Sequence, residues 1–354
     1  MNKPRARDLG IRIGTMEPGP LNAITDVPGV GVGHCTLIEG KGVRTGLTVV
    51  MPHDGDVGRE PVFAAPHRLN GNGEMTGLEW VRESGQLSTP IAITNTHSVG
   101  AVHEALISHE VRQRPDADPY WALPVVAETW DGRLNDINGF HVRAQHVEQA
   151  LANVSRGGVE EGSVGGGTGM VSFGFKAGIG TASRVAGDYT VGVLVQSNFG
   201  RRERFTVDGV PVGRFIGSEV VPLPGPPDSP AESGSIIAIA ATDAPLLSHQ
   251  CARVAQRIGL GIARTGGAGG NSSGDLFLCF ATGNRLPSRQ VETFDDADID
   301  GLFHAVIEAT EEAILNSMLA AETMIGHRGV VAFALPVDRL LEILQKGWSP
   351  LEPA

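Results

Sequence analysis

The apolar residues of this chain come in short, β-branched runs cut off by glycine, proline or asparagine, and the runs arrive in pairs. GVGVGHCTLI (29–38) is followed closely by GLTVVMP (46–52). VGGGTGMVSFGFKAGIGTASR (164–184), read as two glycine-bracketed strands, is followed by YTVGVLVQSNFGRR (189–202). Runs of this length and composition predict strands. Helical spacing of apolar residues predicts helices over AVHEALISHEVRQ (101–113), FHVRAQHVEQALANV (140–154), LLSHQCARVAQRIGLGIART (246–265) and the amphipathic stretch IDGLFHAVIEATEEAILNSMLAAETM (299–324). Like elements grouped in this way predict stacked layers of sheet and helix rather than strict βαβ alternation. The length, 354 residues, allows either two domains or one large sandwich. VPLPGPPDSPAESGS (221–235) is the best linker candidate.

The totals exclude several function classes. A formal net charge of −12 argues against nucleic acid and against an anionic membrane surface as partner. No stretch has the length and apolarity of a membrane span. Cys35, Cys251 and Cys279 are far apart and have neither disulfide-framework nor metal-site spacing, which points to a reducing, cytoplasmic location. The glycine runs lack the GxxxxGK[ST] pattern, so tight strand turns explain them better than nucleotide binding. None of the 11 histidines lies in an HExxH pair, and no GxSxG elbow is present.

One stretch stands apart. Residues 266–280, GGAGGNSSGDLFLCF, pass from a nearly side-chain-free run through two adjacent hydroxyls into an apolar strand. A Gly/Asn/Ser turn before a core strand accounts for it. So does a self-cleaving peptide bond, because a serine hydroxyl can attack the carbonyl of the residue before it when the backbone is free enough to let it approach. Cleavage would leave a serine whose α-amine, with an ordinary pKa near 8, acts as its own general base.

Other stretches favour the second reading. GNGEMTG (71–77), PIAITNTHSVG (90–100), ETWDGRLNDI (128–137), VGGGTGMVSFGFKAGIGTASR, VGVLVQSNFG (191–200), GGNSSGDLFLCFAT (269–282) and ATEEAILNS (309–317) together resemble the L-aminopeptidase/D-amino-acid esterase–amidase and β-peptidyl aminopeptidase family. The resemblance spans about residues 10 to 335. It implies an α+β, four-layer αββα sandwich of the N-terminal-nucleophile-hydrolase type over residues 1–354. It implies self-cleavage between Asn271 and Ser272 into chains 1–271 and 272–354, with Ser273 as the competing nucleophile. It places Thr310 and Glu312 beside the nucleophile, Asn198 as oxyanion donor together with a backbone N–H around Gly167, and Glu128 on the substrate's free amine. Trp130, Phe173 and Met170 become candidate pocket walls. Residues two apart do not share a helix face, so Thr310 and Glu312 reach one site only if their helix begins irregularly or points at it. The implied substrate is a short peptide or an amino-acid amide or ester. No metal or organic cofactor is implied, and the assembly is a homo-oligomer of processed heterodimers. The alternatives are an ornithine-acetyltransferase-like acyl transferase and an unprocessed binding protein on the same scaffold.

Overall fold

A computed structural model describes residues 3–225 and 234–346. Most of the 221–235 linker candidate therefore lies outside the described residues. Strands β1 (Gly31–Glu39) and β2 (Val43–Met51) form a hairpin, followed by β3 (Val62–Gly71), the short helix α1 (Leu78–Ser84) and β4 (Gln86–Leu87). β5 (Ile91–Asn95), α2 (Val99–Gln113) and β6 (Val125–Thr129) make a parallel unit, and α3 (Ala144–Ala152) follows it. The two-residue strands β7 (Val171–Ser172) and β8 (Phe175–Lys176) lead into the hairpin of β9 (Ile179–Ala186) and β10 (Tyr189–Asn198). A second parallel unit consists of β11 (Ser235–Thr242), α4 (Ser248–Arg264) and β12 (Gly274–Ala281). The long helix α5 (Asp300–Leu319), the short strands β13 (Met324–Ile325) and β14 (Val331–Ala332), and α6 (Val337–Lys346) complete the described chain.

The strands form a four-stranded sheet, β1-β2-β5-β6, and a six-stranded sheet, β4-β3-β12-β11-β10-β9. Alternation along each strand shows how they stack. Leu276, Leu278 and Phe280 of β12 face the layer between the sheets, with Ile237 and Ile239 of β11 and Val50, Ile91 and Ile93 of the other sheet. Phe277 and Cys279 point the opposite way, toward Val254, Ile258, Val306 and Ile314 of α4 and α5. On the far side, Leu47, Val49, Ala92 and Val126 pack against Val102, Leu106 and Val147 of α2 and α3. The order is helix, sheet, sheet, helix, the αββα sandwich that the resemblance implied.

Two local expectations are corrected, and one strand had no expectation. The 164–184 stretch is one long strand, β9, preceded by a buried 3-10 turn at Gly165–Gly167 and the short β7 and β8. The 299–324 helix is not amphipathic. From Leu302 to Leu319 only His304 and Ile307 escape burial. The N-terminal segment crosses its outer side, where Ala6 N donates to Asn316 Oδ1 (2.9 Å) and Thr15 N donates to Glu308 Oε1 (2.9 Å). β3 has no clear signal in sequence because Pro66 interrupts it. The structure tolerates that proline because β4 pairs only with Val62 and Phe63, so β3 is an open edge where Pro66 stands.

Candidate active site

The N-terminal ends of β11 and β12, the C-terminal ends of β3 and β10, and the C-terminal ends of β5 and β6 lie together at one end of the sandwich. The glycine-rich stretch enters β12 here. Ser273 N donates to Gly270 O (2.8 Å), so residues 270–273 close a tight turn with Asn271 and Ser272 at its exposed tip. From Ser273 onward the chain is buried through Ala281. Ser273 is 8% exposed, and its hydroxyl donates to Asp275 Oδ1 (2.7 Å). Burial pushes the Asp275 carboxyl above its ordinary value, partly offset by the bond from Ser273. Gly274 has to be glycine, since a Cβ there would stand 2.4 Å from the Asn72 carbonyl.

Glu128 is the penultimate residue of β6, on the opposite sheet. It is 3% exposed and accepts from Glu74 N (3.0 Å) and from the Thr96 hydroxyl. Gly73 is the bridge to the β12 turn. A Cβ on it would lie 3.1 Å from Glu128 Oε1 and 3.2 Å from Gly274 Cα. The structure thus brings Glu128 and the start of β12 to the same place. Burial raises the Glu128 pKa above the usual carboxylate value, against the opposing pull of its two donors.

Asn198 closes β10. Its Nδ2 donates to Trp130 O (2.8 Å) and its Oδ1 accepts from Val171 N (2.9 Å). These partners fix the amide orientation and leave one Nδ2 hydrogen beyond them. Trp130 is 39% exposed, at the rim beside Glu128. Next to it the buried Asp131 accepts from Asn135 Nδ2 on both carboxylate oxygens (3.1 Å each), and its carboxyl is pushed up to about 7, mainly by burial. His97 lies at the same rim, stacked on Phe140 with ring centroids 5.8 Å apart.

Five sequence candidates stand differently from expectation. Gly167 is buried and its N–H is already donated to Val164 O (2.9 Å). A Cβ there would meet Ile179 N at 2.4 Å, so this glycine serves close packing against β9 rather than donation to a substrate. Lys176 secures the same loop from below, donating to Met170 O (3.0 Å) and Ala177 O (2.5 Å); burial lowers its pKa to about 7. Thr310 and Glu312 lie in the regular middle of α5 and diverge. Thr310 Oγ1 donates one turn back to Val306 O (2.6 Å) and its Cβ faces Gly261 of α4. Glu312 is fully buried and accepts from Asn22 Nδ2 (2.5 Å), Arg184 Nη2 (2.7 Å) and Arg7 Nε (3.3 Å). Phe173 and Met170 are fully buried, Phe173 packing on Phe199 and Phe205, so both are core.

Sequence reading missed Asn70 and Asn72. Asn70 Nδ2 donates to Gly270 O (2.5 Å) and Asn72 Nδ2 to Ser272 O (2.8 Å). The only signal was their place in NGNGE, a polar run at a strand end. A cleft of about 340 Å³ opens beside them, lined by Gly71, Gly73, Glu74, Met75, Trp80 and Leu276 among others. A larger cleft of about 620 Å³ is lined by the N-terminal arm and Thr323–Met324.

The comparisons agree with this geometry. The model of Peptidase family S58 matches residues 22–332. The chain is 45% identical to a β-peptidyl aminopeptidase, BapA, of Sphingosinicella microcystinivorans, over 97% of this chain and 92% of that one. Among solved structures, a β-aminopeptidase of Burkholderia sp. superposes with a TM-score of 0.89 at 51% identity, covering 98% of this chain and all of the other. The L-aminopeptidase D-Ala-esterase/amidase of Ochrobactrum anthropi, described as a prototype for the serine aminopeptidases and a variant of the Ntn-hydrolase fold, superposes with a TM-score of 0.89 at 44% identity, covering 97% and 99%. With its αββα layers and the serine turn at their shared end, the chain belongs to Peptidase family S58.

Proposed function

We propose that this protein is a self-processing serine aminopeptidase, releasing N-terminal residues from short peptides, amino-acid amides or esters, with Ser272 as nucleophile. The observation that carries the reading is the exposed Asn271–Ser272 turn at the head of a fully buried strand, beside the buried carboxylate of Glu128. Ser273 is the weaker choice, because it is buried and its hydroxyl is already given to Asp275.

In processing, Ser272 Oγ bonds to the Asn271 carbonyl carbon. The C–N bond breaks, and the hydroxyl proton ends on the departing nitrogen, now the Ser272 α-amine. Water hydrolyses the resulting ester, giving an Asn271 carboxylate and restoring the hydroxyl. The products are residues 1–271 and 272–354. In turnover the α-amine takes the hydroxyl proton as Ser272 attacks the substrate carbonyl, and then delivers it to the leaving group. The remaining Nδ2 hydrogen of Asn198 serves the oxyanion, a role worth roughly 10²–10³ in rate. Glu128 holds the substrate ammonium, which restores its ionised state by charge pairing. Trp130 forms a rim of the pocket. Thr310 and Glu312 are positioning residues: α5 supports β9 and β10, and through β10 it supports Asn198.

Relatives named as β-peptidyl aminopeptidases and as an L-aminopeptidase D-Ala-esterase/amidase support hydrolysis rather than acyl transfer to ornithine. The exposed pair Trp80 and Trp121, edge to face at 5.6 Å, supports a subunit contact in a homo-oligomer. The unpaired, buried Cys35, Cys251 and Cys279 support a reducing, cytoplasmic location.

Denaturing mass spectrometry tests the reading. Wild-type protein should give two masses, broken between 271 and 272, and Ser272→Ala should give one intact, inactive chain. An intact wild-type chain that turns over aminoacyl p-nitroanilides would refute it.

A further inference from the structure

We infer that Asn70 and Asn72 form a clamp that presents the Asn271–Ser272 bond for self-cleavage. The inference rests on the processing site proposed above.

The paired register between β3 and β12 runs to Gly71↔Gly274. Past that point two side-chain amides continue the pairing. Asn70 Nδ2 donates to Gly270 O at 2.5 Å and Asn72 Nδ2 donates to Ser272 O at 2.8 Å, while Asn72 N reaches Ser273 O at 3.3 Å. The orientation of Asn70 is set from its own backbone, since its Oδ1 accepts from Gly71 N (3.0 Å), which leaves Nδ2 facing the loop.

The clamped carbonyls belong to the residues on either side of Asn271. Gly270 O is held twice, by Asn70 and by Ser273 N. The Asn271–Ser272 peptide is the central unit of this turn, whose carbonyl and N–H do not form the closing bond. Fixing both flanks narrows the set of conformers the turn can sample around the Asn271–Ser272 bond, which lowers the entropic part of the barrier to the shift. The GGAGG run at 266–270 alone would leave the turn unrestrained. Asparagine suits the task because a short side chain with a rigid NH2 donor reaches the next backbone without extending the strand.

The two residues differ after cleavage. The Gly270 carbonyl then belongs to the free end of the large chain, whereas the Ser272 carbonyl still belongs to the nucleophile. Asn70 therefore acts on processing, and Asn72 acts on processing and on placement of the mature nucleophile.

The test follows cleavage of the full-length chain by intact mass against time, with turnover measured per processed chain. Asn70→Ala and Asn72→Ala should each slow the appearance of the two masses about tenfold, the effect of losing about 1.4 kcal/mol. Asn72→Ala should also lower turnover per processed chain by more than Asn70→Ala does. Asn72→Asp keeps size and packing but replaces the donor with a group that repels the Ser272 carbonyl, so it should slow cleavage at least as much. Cleavage at the wild-type rate in all three variants overturns the clamp and leaves Ser272 processing intact. A wild-type chain that stays whole while active removes the processing reading itself, and the clamp with it.

Discussion

At the residue scale, Glu128 carries most of the expected selectivity for a free amine. Burial raises its pKa, and an incoming ammonium favours the ionised form. The sign of the pH dependence follows. As pH falls through the raised value the carboxylate is neutralised and amine capture is lost, so kcat/KM for aminoacyl p-nitroanilides should fall on the acidic side. Glu128→Gln should abolish that acidic limb and raise KM roughly 10–100-fold, the worth of a charge-assisted hydrogen bond of about 1.5–3 kcal/mol. An unchanged acidic limb in Glu128→Gln would assign the titration to another group. Asn198 shows how one side chain joins the two sheets. It ends a strand of the six-stranded sheet and donates to the Trp130 carbonyl, just past the end of β6 in the other. Trp130 and Asn198 are 68 residues apart, and no spacing rule connects them.

At the element scale, α5 is unusual in burying three glutamates, Glu308, Glu311 and Glu312. Such charges persist inside only when partnered. Arg184, itself fully buried on β9, bonds Glu308 Oε2 (3.1 Å) and Glu312 Oε2 (2.7 Å) and donates to Ile13 O (2.8 Å). Helix, strand and N-terminal segment are thereby tied at one point. Gly180 brings β9 close to the helix, because a Cβ there would lie 2.0 Å from Ala313 O. Arg184→Met should destabilise the protein by about 3–5 kcal/mol, because it strands two carboxylates in the interior. Adding Glu312→Leu should recover part of that loss, a coupling read from a double-mutant cycle of denaturation midpoints. Strict additivity of the two substitutions would show that Glu312 is held by Arg7 and Asn22 alone.

At the scale of the whole molecule, β12 lies inside its sheet, antiparallel to β3 and parallel to β11. The proposed cleavage before Ser272 would therefore separate two chains that remain paired along the full length of a buried strand. α5, also in the smaller product, is enclosed by β9, β10 and the N-terminal segment. The processed protein should keep the native mass of the intact chain and resolve into two species only on denaturation. Native and denaturing mass spectrometry on one sample check this, and spontaneous loss of the 272–354 chain under native conditions would contradict it. α4 and the glycine-rich stretch connect β11 to β12, so the connection that the proposed cleavage would cut is one the sheet no longer needs once its strands are paired.

The sequence by itself determined the classes of element, the layered architecture and the glycine-rich turn at which cleavage is proposed. Periodicity and glycine punctuation are local, and β12, α4 and the glycine-rich turn state their character within a few residues. It also named Glu128 and Asn198, through motifs whose polar residues sit at strand ends. Only the tertiary structure decided which side chains meet. Gly167 reads as a donor in a glycine run, yet the close approach of β9 turns its N–H to Val164. Thr310 and Glu312 read as a pair, yet α4 claims one side of the helix and the distant Arg7, Asn22 and Arg184 claim the other. Asn70 and Asn72 went unread in the sequence, and gained a partner only when β3 was laid beside a segment 200 positions later. Hydrogen-bond partners across such distances follow from sheet order and register, and no local pattern encodes those.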